Sequence, residues 1–381
     1  MKKICFVTTV SITIKSFLID FAKYLTEEDN FDVTFICSTD KALYDYCNER
    51  IHYIPVDIQR GVGFDGLKVI NKITKVFKEK SFDIIQYSTP NAALYASIAA
   101  KKAGCPNRLY CQWGIRYMGF DGGWKRKLFK TIEKITCSNS TIIECESFSL
   151  YDFSVKEGLY PAEKASVIWN GSACGVNLAR YDISRRGEWR KQRRDELGIP
   201  EDAFVFGFAG RITRDKGSNE LIEAFKQIQE KHGNTYLLFL GSFDNEGTIK
   251  EELKNWAQQS SKVKFVEWTD KVEQYYCAMD VFASLSYREG FGLVVIEAAA
   301  MMLPGIVTDC PGQKDTIEPN VDGWLVPVKN VDKVVETMEH CIDNLDEVRE
   351  YGKNARRHVE EKYEQKELFR QLTEHRNAII S

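Results

Sequence analysis

Short apolar runs rich in β-branched residues alternate with helix-like patterns through the first half of the chain. These runs lie at residues 4–9, 33–37, 84–87, 108–111 and 141–144. Within each run the hydrophobic positions are consecutive rather than alternate, so both faces of the predicted strand are buried, which is typical of a parallel sheet covered by helices. The first half is therefore predicted to be an α/β domain.

The second half repeats this arrangement, with clearer breaks between the predicted elements. Predicted strands at residues 204–209, 235–240, 263–266, 281–284 and 305–308 alternate with predicted helices at 219–231, 248–259, 272–277 and 293–302. Residues 185–194 are predicted to form a charged, solvated helix, and residues 354–380 one or two further helices. The pattern predicts two doubly wound, Rossmann-like parallel-sheet domains in tandem.

The length of 381 residues exceeds the size at which one hydrophobic core usually stops growing, so two domains are expected. Asn170-Gly171 and Gly175 precede the charged run and mark the boundary. We predict an N-terminal domain at residues 1–178, a C-terminal domain at 179–360, and a C-terminal helix at 361–381 that packs back on the first domain.

The composition indicates the cellular compartment and the class of binding partner. The net charge is −3, and no nucleic-acid partner is expected. The 11 cysteines, an odd number, include no C-x-x-C pair, which argues against a disulfide framework and favours a reducing compartment. Lys15 and Asp20 interrupt the apolar start, so we interpret it as a buried strand rather than a signal peptide. A cytoplasmic protein is predicted.

The segment after the predicted strand 204–209 puts two positive charges at a strand end. It begins with Gly210, which allows the backbone to approach a ligand closely, and it carries Arg211 and Lys216. The carboxyl ends of parallel strands border the crevice where anionic ligands bind. The two cations are candidates for binding a diphosphate; the alternative is a surface turn with ordinary ion pairs.

The segment after the predicted strand 281–284 combines two carboxylates with a helix start. Glu289 lies in the loop, Gly290 and Gly292 follow, and Glu297 falls one turn into the predicted helix. The free N–H groups and the dipole at a helix start favour phosphate. Glu297 could then accept hydrogen bonds from ribose hydroxyls, although most glutamates near a helix start are only caps.

This segment resembles the Glu-x7-Glu motif of glycosyltransferase family 4, and Arg211 and Lys216 match the diphosphate-binding pair of that family. Residues 170–177 resemble its domain-joining N-G-V-D stretch, and residues 322–326 resemble its N-G-x-L-V stretch. The resemblance covers essentially the whole chain. It implies the GT-B fold, in which two Rossmann-like domains face a central cleft.

The resemblance also implies a division of labour at the donor. Glu289 would contact the donor sugar near the reacting carbon, with Arg211 and Lys216 as the other catalytic residues. Glu297 would bind the ribose. The backbone would hold the diphosphate and the sugar at Gly210, Gly290, Phe291, Gly292 and Leu293.

The implied donor is a nucleotide diphosphate sugar, with UDP as the expected carrier and GDP or ADP as alternatives. Loops 241–244 and 268–271 would border its base, and no cofactor besides this donor is expected. The transferred hexose or N-acetylhexosamine would keep its α configuration. The sequence has no Asp-x-Asp pair to hold Mg²⁺ or Mn²⁺ at a diphosphate, so no metal site is predicted.

One departure from the family concerns the acceptor. Many members carry a His before a Gly followed by Arg-Tyr, whereas residues 112–117 here read Gln-Trp-Gly-Ile-Arg-Tyr. Trp113 takes the place of that His and could stack on a sugar or pack in the core. Gln112 or Arg116 could supply polar contacts instead.

The loop after the first predicted strand contains no glycine, so the G-x-G-x-x-G of dinucleotide-binding enzymes is missing. An NAD-dependent enzyme is therefore disfavoured. In a GT-B enzyme this loop would face the acceptor, which makes Thr9, Ser11 and Lys15 candidate contacts.

Residues 124–130 are basic, aromatic and predicted to be helical. Such a helix can rest on an anionic membrane face and bring an enzyme to a lipid-linked acceptor. The alternative is a solvated amphipathic helix that covers the sheet. The candidate membrane contacts are Trp124, Lys125, Arg126, Lys127 and Lys130.

Together these features favour a metal-independent, retaining glycosyltransferase that builds a bacterial capsule or lipopolysaccharide on a polyprenyl-diphosphate-linked acceptor, at the inner face of the membrane. Two alternatives stay open. A sugar-nucleotide 2-epimerase or hydrolase of the same fold would need further carboxylates or histidines in first-domain loops. A non-catalytic sugar-nucleotide-binding subunit is suggested only by the missing His.

Overall fold

The structure, a computed structural model, describes residues 1–58, 66–120, 122–244 and 247–381. These residues form two compact units. Unit 1 comprises Met1–Cys174 together with Lys366–Ser381, and unit 2 comprises Gly175–Gln365.

Unit 1 is built on a parallel sheet of seven strands in the order β3-β2-β1-β4-β5-β6-β7. The strands are β1 (Lys2–Val7), β2 (Phe31–Cys37), β3 (Ile51–Pro55), β4 (Ile84–Tyr87), β5 (Asn107–Gln112), β6 (Ile142–Cys145) and β7 (Ala165–Val167). The helices of this unit are α1 (Ser11–Phe17), α2 (Ile19–Glu28), α3 (Gly66–Lys80), α4 (Pro90–Ala103), α5 (Gly123–Asn139) and α6 (Phe148–Lys156), joined by α14 (Gln365–Ile380) from the end of the chain.

Unit 2 is built on a parallel sheet of six strands in the order β10-β9-β8-β11-β12-β13. The strands are β8 (Phe204–Ala209), β9 (Thr235–Leu240), β10 (Val263–Val266), β11 (Val281–Ser284), β12 (Gly305–Thr308) and β13 (Gly323–Val326). The helices are α7 (Arg186–Leu197), α8 (Ser218–Lys231), α9 (Glu251–Gln259), α10 (Val272–Tyr276), α11 (Leu293–Ala300), α12 (Val331–Asp343) and α13 (Leu345–Lys362).

Successive residues of the central strands enter different apolar layers, which is why their sequences are continuously hydrophobic. In β8, Val205 belongs to a buried cluster with Tyr276 and Met279. Its neighbour Phe206 belongs to a second cluster with Phe225. The unit 2 sheet is therefore covered on both faces, as an all-parallel sheet requires.

The predicted fold class, two Rossmann-like doubly wound parallel-sheet domains, is confirmed. All five strands predicted in the second half have the bounds that the structure shows, and the tail forms two helices. Three strands were not predicted. In β3 a histidine interrupts the apolar run, and β7 is only three residues long. The residues of β13 were interpreted only as part of a motif. The helix predicted at 248–259 begins later, at Glu251.

In each unit the strand order reverses beside a central strand, between β1 and β4 in unit 1 and between β8 and β11 in unit 2. Ligands of open α/β sheets bind outside the carboxyl ends of the strands at this switch point. In unit 2 the loops that leave the switch-point strands are the ones that carry Lys216 and Glu289.

None of the helices in the described ranges combines the length and the apolar composition that crossing a membrane requires.

Candidate active site

The loop after β8 is shaped by a glycine that touches the loop after β11. Gly217 has a φ of +70°, and a Cβ atom there would lie 2.1 Å from the carbonyl oxygen of Leu285. Only glycine combines this conformation with this close approach. The contact holds the two switch-point loops side by side, with Lys216 next to the glycine and Arg211 exposed at the start of the same loop.

Further contacts join the same two loops. The Tyr287 amide donates to the Asp215 carbonyl at 2.9 Å, and the Arg288 guanidinium pairs with the Asp215 carboxylate at 3.2 Å. Burial would raise the pKa of Asp215, but the hydrogen bond from Thr213 and the charge of Arg288 outweigh it and lower that pKa. Asp215 is thus kept ionised as the link between the loops.

Glu289 is held by two donors on one oxygen. Lys216 Nζ forms an ion pair with Glu289 Oε1, and Ser286 Oγ donates to the same Oε1 atom at 2.7 Å. Within the described residues, Oε2 receives no hydrogen bond. The carboxylate is therefore fixed from one side, and its second oxygen is available to a ligand.

Buried polar residues at and after the ends of β11 and β12 support this arrangement. Ser286 is buried, and its carbonyl accepts a hydrogen bond from Thr308 Oγ1 at 2.5 Å. The Gln313 amide donates to the Ser284 carbonyl and, at 3.2 Å, to Thr308 Oγ1. We did not predict Ser286, Thr308 or Gln313 as site residues. The available signal was a polar side chain at or just after the end of an apolar strand for Thr308 and Ser286, whereas Gln313 follows β12 by five residues and gave no such signal.

Helix α11 begins at the same edge. Gly292 precedes it with a φ of +104°, and the helix is eight residues long. The first N–H groups of a helix have no partner within the helix, so those that follow Gly292 offer donors to an anion beside Lys216. Gly290 and Phe291 are buried next to this start, whereas Leu293 is half-buried.

Glu297 lies one turn into α11 and is half-buried. The Tyr276 hydroxyl donates to its Oε2 atom at 3.3 Å. Burial raises the pKa of the Glu297 carboxyl, while the Tyr276 hydrogen bond and the charge of Arg180 act against the rise. Lys216, Glu289, Glu297 and the start of α11 thus belong to one edge of the unit 2 sheet.

The predicted acceptor residues after β1 also lie at a sheet edge, in unit 1. Thr9 is buried and its hydroxyl lies 2.8 Å from that of Thr89, in the loop after β4. Lys15 pairs with Asp40 at 2.7 Å. Hydrogen bonds from Lys15 and Ser11 lower the pKa of the Asp40 carboxyl to about 2.

Gln112 lies in a different environment from the one predicted. It is fully buried, its amide donates to Glu133 at 2.8 Å, and its carbonyl accepts from Ser154 and Tyr160 at 3.0 Å each. A polar side chain engaged in this way inside the unit cannot reach an acceptor without breaking these bonds.

The other two candidates on this strand end are accessible. Trp113 is half-buried, with its ring centroid 5.4 Å from that of Phe17. Arg116 is exposed and lies over the Phe129 ring at 4.3 Å. The side chain of Trp113 is thus partly packed against Phe17 and partly exposed.

The basic segment lies in α5, and its five candidate membrane contacts divide into two groups. Trp124, Lys125 and Lys127 are exposed. Arg126 and Lys130 turn inward and pair with Glu157 at 3.7 and 2.7 Å.

Across the described ranges, no group of three or more His, Cys, Asp or Glu side chains is arranged to hold a metal ion.

Two doubly wound parallel-sheet units are the architecture of the GT-B fold class, and cations, a fixed carboxylate and a helix start lie at the switch point of unit 2. Solved structures share this fold: a glycosyltransferase from Rickettsia africae has a TM-score of 0.82 at 20% identity, covering 100% of this chain and 99% of that one. Anabaena HepE in complex with UDP and glucose has a TM-score of 0.79 at 20% identity, covering 98% and 99%.

Residues 3–147 match the family described as "Glycosyl transferase 4-like", and residues 190–358 match "Glycosyl transferases group 1". The capsular polysaccharide biosynthesis glycosyltransferase CapM of Staphylococcus aureus is 32% identical over 353 residues, 92% of this chain and 91% of CapM. An Escherichia coli UDP-Gal:α-D-GlcNAc-diphosphoundecaprenol α-1,3-galactosyltransferase is 22% identical, covering 84% and 82%. The chain belongs to the family 4-like GT-B glycosyltransferases, as its motifs indicated.

Proposed function

We propose that this enzyme is a retaining glycosyltransferase of bacterial surface-polysaccharide synthesis that moves a hexose or N-acetylhexosamine from UDP to a lipid-linked glycan. The observation that carries the proposal is the Lys216–Glu289 pair beside the start of α11, at the unit 2 switch point. The relatives support the details, since CapM is named for capsule synthesis and the E. coli relative for a UDP-sugar and a diphosphoundecaprenol acceptor.

In this proposal the C-terminal domain, residues 179–360, binds the donor and the N-terminal domain, residues 1–178, binds the acceptor, with the helix at 361–381 packed on the latter. Thr9, Ser11, Lys15, Trp113 and Arg116 are the acceptor candidates that remain. The enzyme would work in the cytoplasm, on the inner face of the membrane.

The proposed reaction proceeds on one face of the sugar. The bond between C1 and the leaving phosphate oxygen breaks, and the acceptor oxygen forms the new bond to C1. The acceptor proton passes to the leaving phosphate oxygen. Because the bond to C1 breaks ahead of this proton transfer, negative charge grows on the diphosphate in the transition state, where Arg211, Lys216 and the amides of residues 290–293 would stabilise it without needing a metal.

Glu289 and Glu297 have separate roles in this scheme. The free Oε2 atom of Glu289 would face the sugar near C1, where positive charge develops as the leaving group departs. Glu297 would accept hydrogen bonds from the ribose, far from the reacting bond. Its contribution would be to donor binding rather than to the chemical step.

The donor diphosphate would compete with Glu289 for Lys216. When the lysine turns to phosphate, Ser286 keeps its 2.7 Å hydrogen bond to Glu289 and holds the carboxylate in place. Ser286 is thus a positioning residue that acts through Glu289.

Replacing Ser286 with Ala is expected to lower kcat by roughly 10- to 100-fold, the cost of one hydrogen bond to a charged group. The KM for the donor should change little, because the diphosphate and ribose contacts are untouched. Steady-state kinetics check this result. Ser286→Thr keeps a hydroxyl and should restore part of kcat; a rise in donor KM with unchanged kcat would contradict the role.

The function itself is tested by incubating the protein with UDP-, GDP- and ADP-sugars and a detergent-dispersed polyprenyl-diphosphate glycan. We expect transfer from a UDP-sugar, an unchanged rate in EDTA, and an α linkage in the product by NMR. A β linkage, or loss of activity in EDTA, would refute the retaining, metal-independent reaction. Release of an epimerised or hydrolysed sugar without transfer would favour the epimerase or hydrolase alternative.

A further inference from the structure

Helix α5 exposes apolar side chains along one stripe. The exposed fractions are 70% for Trp124, 42% for Leu128 and 40% for Ile135. Their spacing of four and seven residues places them on the same side of a helix with 3.6 residues per turn. Helices of globular proteins usually turn large apolar residues inward, whereas these three side chains are turned outward.

The inward side of α5 explains this orientation. Glu133 is buried and accepts hydrogen bonds from Tyr110 at 2.9 Å and Gln112 at 2.8 Å, and Thr136 and Cys137 are buried beside it. Phe129 and Ile132 of the same helix pack against the core of unit 1. The inward side of α5 is thus occupied by this polar network and by those two side chains, and Trp124, Leu128 and Ile135 are left outside.

The same arrangement determines the charge of the exposed side. Glu133 is the only acidic residue of Gly123–Asn139, and it points inward. Arg126 and Lys130 are occupied by Glu157. The exposed charges of the helix are Lys125, Lys127 and Lys134, all of them positive.

We propose that this outer face of α5 docks on an anionic lipid bilayer, with the apolar stripe in the headgroup boundary and the lysines at the phosphates. The outer face of α5 consists of Trp124, Lys125, Lys127, Leu128, Lys134 and Ile135. The inference changes the membrane contacts expected from the sequence: it removes Arg126 and Lys130 and adds Leu128, Lys134 and Ile135.

A bilayer is the occupant that fits both features of this face. The helix has 17 residues, about 25 Å in length, and alternates apolar and cationic side chains along that distance. An anionic membrane offers apolar depth and a dense negative surface to such a helix lying in its plane. The docking itself does not depend on the proposed function. Only its purpose does, which is to hold unit 1, the unit proposed to bind the acceptor, beside a lipid-linked acceptor.

The test is flotation of the full-length protein with vesicles of phosphatidylcholine alone or with 30% phosphatidylglycerol, a composition we choose. We expect binding to the anionic vesicles, weakened by 0.5 M NaCl. Each lysine contributes roughly fivefold to such binding. The variant Lys125→Glu/Lys127→Glu/Lys134→Glu should therefore lose on the order of 100-fold in affinity, and Trp124→Ser/Leu128→Ser/Ile135→Ser should lose a comparable amount.

The matched control is Lys75→Glu/Lys78→Glu/Lys80→Glu on α3, which makes the same change of charge at exposed positions of unit 1. It should bind nearly as well as the unchanged protein. Equal losses in the control, no binding to anionic vesicles, or equal binding to neutral ones would overturn the proposal. So would a stable dimer that dissociates in the Trp124→Ser/Leu128→Ser/Ile135→Ser variant, because the face would then belong to a second copy of the chain.

Binding is measured without a sugar donor, so its failure is separate from failure of the transferase proposal. A transferase that turns over its donor but ignores vesicles would refute docking alone.

Discussion

Replacing Glu289 with Gln is expected to lower kcat for sugar transfer by roughly 10²–10³-fold, the range found when one preorganised electrostatic group is lost from an active site. The amide can still accept the Ser286 hydrogen bond, so the loop geometry should persist. What disappears is the negative charge that pairs with Lys216 and would face the sugar. Donor KM should change much less than kcat, because the diphosphate and ribose contacts remain.

The measurement is steady-state kinetics with the UDP-sugar that the donor panel identifies. Glu336→Gln is the matched control, because Glu336 is an exposed glutamate of α12 that pairs only with Lys333 on its own helix in the described residues. That variant should retain full activity. If Glu289→Gln also retained it, Glu289 would have no part in the reaction.

The donor edge could be predicted from the sequence because its chemistry follows strand ends directly. Each of Gly210 and Glu289 comes within a few residues of a strand whose apolar run has clear limits, and those limits were right for all five predicted unit 2 strands. Parallel strands carry their carboxyl ends to one edge, so local patterns were enough to bring Lys216 and Glu289 together. Their role in catalysis remains a prediction.

Other features depend on contacts between distant parts of the chain, which local patterns do not contain. Gln112 was a reasonable polar candidate at a strand end, yet Ser154 and Tyr160 draw its side chain into the core. The side of α5 that faces the sheet likewise depends on the hydrogen bonds that Glu133 accepts from Tyr110 and Gln112. Arg376 and Glu144, which are 232 positions apart, form an ion pair that no local sequence pattern predicts.

That ion pair leads to the second large expected effect: Arg376→Met should destabilise unit 1 by about 3–5 kcal/mol, the usual cost of breaking a buried pair by removing one partner. Arg376 is 1% exposed; it pairs with both Glu144 oxygens and donates to Gln86 at 2.9 Å. These contacts tie α14 to β6 and β4. The variant would leave the Glu144 carboxylate, whose side chain is only 12% exposed, without its main partner.

Urea unfolding followed by hydrogen exchange should show earlier opening of β4 and β6 than of β8, which belongs to unit 2. Arg370→Met is the matched control. It lies on the same helix, and its ion pairs to Glu367 and Glu374 are solvent-exposed. Exposed pairs contribute little, so this variant should unfold almost like the unchanged protein. Equal unfolding curves for the two variants would show that the buried pair does not hold α14 to the sheet.

The pH dependence gives a sharper form of the same prediction. Burial would raise the pKa of Glu144, but the charge of Arg376 and the hydrogen bonds from His375 and Arg376 outweigh it and lower that pKa from 4.5 to about 2. A carboxyl group whose pKa is lower in the folded than in the unfolded state stabilises the fold. This stabilisation is complete at a pH above the unfolded-state pKa and is lost as the pH falls toward the folded-state pKa. Without Arg376, burial raises the folded-state pKa of Glu144, so the stability gap between the unchanged protein and Arg376→Met should be constant near neutrality, begin to shrink as the pH falls through that raised value, and go on shrinking to about pH 2. In the variant, Glu144 can protonate inside the fold, so its stability should respond less to acid. A gap that stayed constant down to pH 2 would mean that the loss comes from packing of the long side chain and not from the charge pair.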